Sequence, residues 1–564
     1  MVPLSLIGLF RITGLFVLAI FFAGSSVGQS MFLPQQSKHQ QFLERLDILL
    51  QKNPDLNSAT PKTISRHSAV FIAGMEDSSS GTPTIRLSKV DQENLQDLLL
   101  NNAEYITRGD TSSGLAETFY RNPANLLEIN RDRFFLGINP ILNVSGGLPK
   151  GDDNISIYHA AVGVNFRMLI NNNLGFYGSI TRNRESPPDF ARSRFEAFNG
   201  VFGANKFARS PEGDYRYWDV RAGVTYRAAS FFDFQIGYDR NFIGNGYRSL
   251  YLSDFGSNYL FAKVNTRVWK FRYQHLYATL VPQFSGDRSG SSPFGRKVVA
   301  VHHLNINATN WLNVALFQAL TISSGKDWQF MLPIIYYQVS RINNSKPDND
   351  LAGFEFKANI AKRAQVYGQL LLDNFKLKEI SKGDGWWNNR FGFQAGLKYI
   401  NVLNVDNLDL QVELNALRPY TYATEDSVGN YTHFNNPLAH PFGANFSETI
   451  AILRYQPSKK LSASVKMIMW KQGVDSSSMN FGSNIFKSTN SRPAEYGFSI
   501  PTGVNATGSN IQLAASYEIF QNLFIDASLL LRKLTFERKY YPDMNNTIGT
   551  VGLRMNMFRK DYDY

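Results

Sequence analysis

The side chains that most often carry out catalysis or bind metal ions are sparse in this sequence of 564 residues. It has eight histidines and no cysteine, which excludes a disulfide framework, a thiolate metal site, a cysteine nucleophile and a cysteine-linked lipid anchor. His302 and His303 are adjacent in a predicted strand, where successive side chains point to opposite faces, so they cannot chelate one ion together. No G-x-S-x-G turn and no defensible acid–base pair of carboxylates stands out. We therefore predict no enzymatic activity, no metal ion and no cofactor.

A tryptophan pair is a stronger candidate for ligand binding. Trp386 and Trp387 lie in a long loop that follows Asp373. Their rings could stack on sugar rings, or they could lie at the boundary between membrane and water, where aromatic residues are enriched. The sequence favours the membrane boundary and leaves both interpretations open.

The composition is typical of a membrane-spanning β-barrel. Aromatic residues make up 14% of the chain, yet the mean hydropathy is only −0.25, because polar lumen residues dilute the lipid-facing ones in such barrels.

The formal net charge of +12 could indicate nucleic acid or an anionic surface as a partner. The basic residues are scattered rather than clustered, so we expect no nucleic-acid binding.

Residues 1–28 have the pattern of a secretory signal peptide. The apolar run Ile12–Phe22 follows Arg11, and Ser26-Val27-Gly28 supplies small residues for cleavage. A transmembrane helix is the alternative, but the apolar run is short and no stop-transfer flank follows it. We expect an exported protein.

Residues 29–130 are predicted to form a periplasmic helical region. Gln40–Lys52 and Ser88–Asn101 each place leucines on one helical face, and Ser88-x-x-Asp91 resembles a capping box. Leu115 and Phe119 suggest a third short helix. These short helices must bury their apolar faces against one another or against the periplasmic end of the barrel. The stretch Asn53–Thr84 could be a poorly ordered linker.

Residues 131–564 are predicted to form a transmembrane antiparallel β-barrel of about 18 strands, an all-β fold with long external loops. In Tyr158–Ile170 the even positions are all apolar and the odd ones mostly small or polar, which is the alternation of a strand with one lipid-facing side. Asn171–Asn173 forms a tight turn, and the alternation resumes from Leu174 to Thr181. A β-propeller is the soluble alternative, but no repeat of about 40–50 residues is present.

Loop lengths support an even strand count, because short and long connections alternate along the chain. In bacterial barrels the short turns are periplasmic and the long loops external. Gln329–Val339 is apolar enough for a strand, but it would break this parity and it contains Pro333. We assign it to an external loop or to a loop folded into the lumen.

Charged residues on the strands should point into the lumen, because a charge on the lipid side costs about 2–4 kcal/mol at the midplane. This argument predicts the following lumen-facing charges: Arg167, Arg221, Lys263, Arg267, Lys398 and Arg554.

The stretch Gly237–Asp254, GYDRNFIGNGYRSLYLSD, carries a resemblance to a known family. A G-x-G turn at Gly244 and Gly246 precedes an S-L-x-L-S sequence that begins at Ser249. This resembles the Wzi capsule-assembly family of outer-membrane proteins, and the first strand, Phe134–Val144, resembles its gliding-motility, RemB-like branch. Phe242-Ile243 replaces the aromatic residue that the family usually has before the G-x-G turn.

The resemblance implies a non-enzymatic outer-membrane β-barrel with periplasmic helices that takes part in capsule or exopolysaccharide assembly, or in surface attachment linked to gliding motility. Its partners would be outer-membrane lipid, surface polysaccharide and secreted adhesins or motility proteins. The implied ligand-binding residues, with the tryptophan pair added, are Tyr247, Arg248, Asp254, Trp386 and Trp387. A porin or substrate-specific channel is the alternative, since a barrel of this size can enclose an aqueous channel unless it is plugged. An outer-membrane enzyme ranks last.

Overall fold

The computed structural model describes residues 33, 38–51, 53–58, 64–76, 85–106, 122–151, 156–229, 231–282, 295–323, 335, 348–476, 478–537 and 542–564. The predicted signal peptide and the predicted third helix near Leu115 and Phe119 lie outside these residues. Among the helices that are described, none is both long and apolar enough to span a membrane.

The described residues form a closed barrel of 18 antiparallel strands, which confirms the predicted fold class and strand number. In chain order, β1 to β18 are Phe134–Gly151, Ile157–Ile170, Leu174–Ser186, Tyr215–Ala229, Phe232–Asp239, Tyr259–Val268, Phe271–Leu280, Lys297–Asn307, Leu312–Ile322, Asn349–Ile360, Ala364–Asn374, Arg390–Tyr399, Leu408–Leu417, Phe446–Ser458, Leu461–Val474, Val504–Phe520, Leu523–Phe536 and Met544–Met555.

The barrel closes because β1 pairs with β2 on one side and with β18 on the other. A short strand, Leu127–Arg131, pairs with the first residues of β1 beyond the end of β18. Every second connection is short, and the turn at Asn171–Asn173 has positive φ at Asn171 and Asn172, as predicted. The barrel therefore has a short-turn end and a long-loop end.

The outer face of the barrel is apolar and exposed, whereas the lumen face is polar and buried. Val162 on β2 and Val551 on β18 are 60% and 63% exposed, while Glu413 on β13 is fully buried. Exposed apolar side chains around a closed sheet require a lipid environment, and closure leaves no unpaired strand edge in that environment.

Four helices fill the short-turn end: α1 (His39–Leu50), α2 (Pro54–Ser58), α3 (Arg66–Glu76) and α4 (Lys89–Asn101). They pack around a common apolar core that includes Phe42, Leu46 and Leu98. The Ser88 hydroxyl accepts a hydrogen bond from the Asp91 N–H at 3.0 Å, so the predicted cap is confirmed. Helices α2 and α3 lie inside the stretch interpreted as a linker, and that interpretation was wrong for them.

The barrel was predicted to run to residue 564, but the last strand ends at Met555, and residues 556–564, the C-terminal tail, turn into the lumen. Of Gln329–Val339, only Ile335 is among the described residues, so the assignment of that segment stays a prediction.

Two α-helices lie in the described parts of the long loops. Helix α5 (Asp189–Phe198) is in the connection between β3 and β4, and α6 (Leu377–Lys382) is in the connection between β11 and β12. Phe190 and Phe195 of α5 are buried in the apolar cluster that fills this end of the lumen.

Candidate functional site

The lumen is filled from both ends, beginning with the helices at the short-turn end. Arg45 of α1 donates to Asp91 of α4 at 2.8 Å and forms an ion pair with Asp409 of β13. The Lys357 ammonium of β10 donates to Asp47 of α1 at 2.9 Å. All five side chains are buried, so these pairs tie the helices to the wall away from water.

The segment Gly237–Asp254, which carries the family resemblance, enters the middle of the lumen. The Glu413 carboxylate accepts hydrogen bonds from the backbone N–H groups of Tyr247 at 2.7 Å and Arg248 at 3.0 Å, and from the Tyr367 hydroxyl at 2.8 Å. A Cβ atom at Gly246 would lie 2.5 Å from Glu413 Oε2. Glycine is therefore required for this close approach between loop and wall.

The S-L-x-L-S part of the same segment is held by two other wall strands, β9 and β11. The Leu250 N–H donates to Gln369 of β11 at 2.9 Å. The Tyr251 ring stacks on Phe317 of β9 at 4.1 Å between centroids. Gly244 has a φ of +142°, which favours glycine. The motif thus forms an internal plug.

The C-terminal tail lies beside this plug. Lys466 of β15 donates to Asp561 at 2.8 Å and to Asp563 at 2.9 Å, and Lys560 forms an ion pair with Glu185 of β3 at 2.6 Å. Burial alone would raise the pKa of Asp563, but Arg248 and Lys466 lower it to about 2. The tail is therefore anchored by charges from both the wall and the plug.

Of the predicted ligand-binding residues, three lie inside this plug: Arg248 and Asp254 are buried and Tyr247 is partly buried. The Tyr247 hydroxyl donates to Asp563, and Arg248 pairs with Asp563 at 3.4 Å and with Glu448 at 3.6 Å. The Asp254 carbonyl accepts from Arg240 at 3.1 Å. These contacts are internal, and ligand binding by these residues stays a prediction.

The two tryptophans lie together in the long loops, separate from the plug. Trp387 donates from Nε1 to Glu495 at 2.8 Å, and the Arg492 guanidinium lies 4.2 Å from its ring centroid. The Lys376 ammonium lies 4.7 Å from the ring of Trp386, which is half-buried. Tyr420 and Phe498 complete the aromatic cluster. Each indole ring thus carries a cation on one face.

The six predicted lumen charges all lie on the lumen side. Each contacts another polar group of the interior: Arg167 the Asn101 carbonyl at 2.9 Å, Arg221 Asp219 at 2.9 Å, Lys263 Asn241 at 3.1 Å, Arg267 Asp55, Lys398 Glu44 at 3.1 Å and Arg554 Asp526 at 2.7 Å.

The histidine pair divides between the two faces of β8, as the alternation requires. His303 points into the lumen, 3.3 Å from Glu355, whereas His302 points outward and contacts His275 at 3.0 Å. Within the described ranges, no group of three or more histidine or acidic side chains could hold a metal ion.

Sequence reasoning missed two anchoring features, namely the contacts of Glu413 with the plug and those of Lys466 with the tail. The alternation of charged and aromatic residues in Arg559–Tyr564 is a signal that could have marked the tail as an interior segment.

No family model and no curated protein matches the sequence. One solved structure with a similar fold is Wzi of Escherichia coli, an outer-membrane protein involved in group 1 capsule assembly and a carbohydrate-binding β-barrel. The TM-score is 0.55 at 11% identity, over 94% of this chain and 100% of that one. This chain is an outer-membrane β-barrel. At such low identity the likeness to Wzi shows the fold alone.

Two porin structures from Pseudomonas aeruginosa are also similar, at scores too low to support any conclusion. OprD has a TM-score of 0.42 at 10% identity, over 74% of this chain and 94% of that one. OpdK has a TM-score of 0.43 at 8% identity, over 74% of this chain and 98% of that one.

Proposed function

We propose that this protein is a closed, non-enzymatic barrel that binds surface polysaccharide through its external loops and takes part in capsule or exopolysaccharide assembly or in surface attachment. The observation that carries the proposal is the filled lumen. Helices occupy the short-turn end, the Gly237–Asp254 plug occupies the middle, and the tail and α5 fill the space toward the long loops.

The filled lumen favours a binding protein over a channel. Moving the plug would remove two backbone N–H donors from Glu413 and leave a buried carboxylate with fewer partners. Removing one partner of a buried charge costs about 3–5 kcal/mol. A path for solutes would open only if several such buried contacts between the plug and the wall broke at the same time.

The external loops supply surfaces that suit an acidic sugar chain. Aromatic rings favour stacking on the apolar faces of sugars, and the exposed Lys376 ammonium beside Trp386 is suited to pair with a sugar carboxylate. The similar fold of Wzi, a carbohydrate-binding barrel, supports this assignment by analogy only. The resemblance of the first strand, Phe134–Val144, to the gliding-motility branch supports the further proposal of a gliding-motility role with adhesins or motility proteins as partners.

The test is binding of purified acidic exopolysaccharide to the detergent-solubilised protein. Trp386→Ala should weaken binding about three- to tenfold, because stacking contributes about 1 kcal/mol. Trp269→Ala is the matched control, since Trp269 also carries a lysine on its ring, Lys270 at 5.3 Å, but lies at the opposite end of the barrel. Equal affinity of both variants and the wild type would contradict loop-mediated binding.

Deletion of the gene tests the cellular role. If the proposal is correct, the deletion strain should retain less surface polysaccharide. If the proposed motility role is also correct, the strain should lose gliding. A deletion strain with normal polysaccharide retention and normal gliding would contradict both.

A further inference from the structure

Two arginines at helix α5, one on the helix and one beneath it, form no ion pair with a carboxylate among the described residues. Arg194 lies on α5, and Arg532 lies on β17 with its side chain in the lumen. Four other lumen arginines each form an ion pair with a carboxylate: Arg221, Arg248, Arg267 and Arg554. In the part of the chain that the structure describes, Arg194 and Arg532 lack such an ion pair.

Arg532 is 7% exposed and is held in one orientation. Its Nη1 donates to Asn510 Oδ1 of β16 at 2.9 Å. Its guanidinium lies 4.2 Å from the ring of Phe190 and 4.9 Å from the ring of Trp470. In the described part of the chain, neither Arg532 Nε nor the Nδ2 of the buried Asn510 has a hydrogen-bond partner.

Arg194 approaches the same space from the helix above. Its guanidinium lies 5.0 Å from the ring of Phe198 and 5.2 Å from that of Phe202, and it donates to the Pro441 carbonyl. It is close enough to Arg532 for the two charges to repel each other. Its Nε also lacks a partner among the described residues.

The tail adds a fourth polar group. The ring of Tyr564 packs edge-on against Phe202 at 4.3 Å. Its hydroxyl interacts electrostatically with both guanidiniums and with the carboxylates of Glu185 and Asp563, and Asp563 also interacts with Arg532 without forming an ion pair with it. Tyr564 is buried, and its hydroxyl has no hydrogen-bond partner within the described residues. The site therefore offers two fixed positive charges and four unsatisfied polar atoms.

Such an arrangement is unfavourable without a bound anion. Like charges in a buried site repel each other, and unpaired buried donors each cost about 1–3 kcal/mol. Carboxylate and phosphate oxygens are the acceptors that guanidinium and amide donors bind most strongly. The rings of Phe190, Trp470 and Phe202 pack against the two guanidiniums and hold these donors in position in the ligand-free protein.

We propose that Arg194, Arg532, Asn510 and Tyr564 form an internal oxyanion-binding site, which takes a carboxylate or phosphate group of a ligand beneath α5. The site is distinct from the external tryptophans, so it stands whether or not those bind polysaccharide. Arg194 is only partly buried, and the opposite side of α5 is exposed at Ser193 and Ala197. One helix therefore separates the site from the outside.

The test is calorimetric titration of the full-length protein in detergent with sodium glucuronate and, separately, with inorganic phosphate, against sodium chloride at equal ionic strength. Saturable binding of either oxyanion should weaken about ten- to a hundredfold in Arg532→Gln, since one charge-assisted contact is lost. Arg532→Lys should retain part of the affinity. Arg209→Gln is the charge-matched control, because Arg209 pairs with Glu196 on the exposed side of α5 and binding should not change.

A second readout separates an anion site from a merely structural arginine. Arg532→Met should leave the thermal midpoint of the ligand-free protein unchanged or raise it, because an unpaired buried charge is removed. Binding of only glucuronate would indicate an acidic sugar, and binding of only phosphate a phosphorylated ligand. Three results would each overturn the proposal. Chloride could bind as strongly as the oxyanions, or Arg532→Gln could leave oxyanion binding unchanged. The third result is a lower thermal midpoint in Arg532→Met when the wild type binds no oxyanion.

Discussion

Glu413 fixes a whole loop from one position on the wall. Its carboxylate is fully buried and accepts from two successive backbone N–H groups of the plug as well as from Tyr367. Hydrogen bonds to a charged acceptor are worth about 1.5–3 kcal/mol each. The fit between Glu413 and Gly246 therefore sets the position of the Gly237–Asp254 segment.

Replacing Gly246 with alanine should loosen the plug. The new Cβ would lie 2.5 Å from Glu413 Oε2 and 2.7 Å from Gln394 Oε1, and such overpacking costs about 1–3 kcal/mol. Amide hydrogen exchange of residues 240–258 should become faster. Gly256→Ala in the same loop is the control, because its nearest neighbour would be 3.5 Å away. Equal exchange in the two variants would contradict the close fit.

His433 should make the external loops sensitive to pH. Its Nδ1 accepts from the Val281 N–H at 3.0 Å and its Nε2 donates to the Asn258 carbonyl at 2.9 Å, so the folded loop holds the neutral ring. Burial lowers the pKa of His433 to about 4 from the usual 6.5. Its contribution to stability is therefore complete above pH 6.5 and is lost as the pH falls toward 4.

Between pH 6.5 and 5 the loss should reach about 2 kcal/mol. Hydrogen exchange of residues 430–434, corrected for intrinsic rates, should show more frequent opening at pH 5 than at pH 7.5. His433→Gln should reduce this pH dependence. A wild-type opening equilibrium that is the same at both pH values would contradict the assignment.

At the scale of elements, the helices α1 to α4 act as one stopper held by buried ion pairs. Lys357 and Asp47 are both buried, and Asp47 also accepts from Asn359 and Gln365. Lys357→Met would leave the Asp47 carboxylate without its cation. The cost of breaking a buried pair from one side is about 3–5 kcal/mol.

Limited proteolysis should detect this change. In Lys357→Met the helices should be cleaved faster than in the wild type, while the barrel strands stay resistant. Arg363→Met is the control, since the Arg363 guanidinium at the same end of the barrel donates to the exposed Asn404 at 2.7 Å. Unchanged cleavage of Lys357→Met would show that the ion pair does not hold the stopper.

The strands were predictable because their pattern is local. A side-chain period of two, as in Tyr158–Ile170, reports which face meets lipid, and the turn at Asn171–Asn173 reports where the chain reverses. Helix α3 was missed because its apolar residues are interpretable only with α1 and α4 beside them. A single short amphipathic segment is weak evidence for a helix, because such a helix becomes stable only when its apolar face is packed against other elements.

The wall residues that hold the plug and the tail were not predictable for a related reason. Glu413 lies 166 residues from Tyr247, and Lys466 lies 97 residues from Asp563. Such partners come together only after the barrel closes, and one sequence contains no signal that links them. The motif at Gly237–Asp254 was recognised, but its burial against Glu413 and Gln369 was visible only in the structure.

The whole molecule is a rigid barrel whose interior is occupied along its length. The order from the short-turn end is the helical stopper, the Gly237–Asp254 plug, the C-terminal tail and helix α5. Loops held on such a scaffold are well suited to binding, because their ends are fixed. The proposed polysaccharide function rests on this closed architecture.

Single-channel recording of the purified protein in planar lipid bilayers tests the closed lumen most directly. Co-flotation of the protein with the lipid vesicles that are fused to the bilayer verifies insertion. The wild-type protein should insert without producing steady currents. Large, steady single-channel currents from the wild type would contradict the closed barrel and favour a porin.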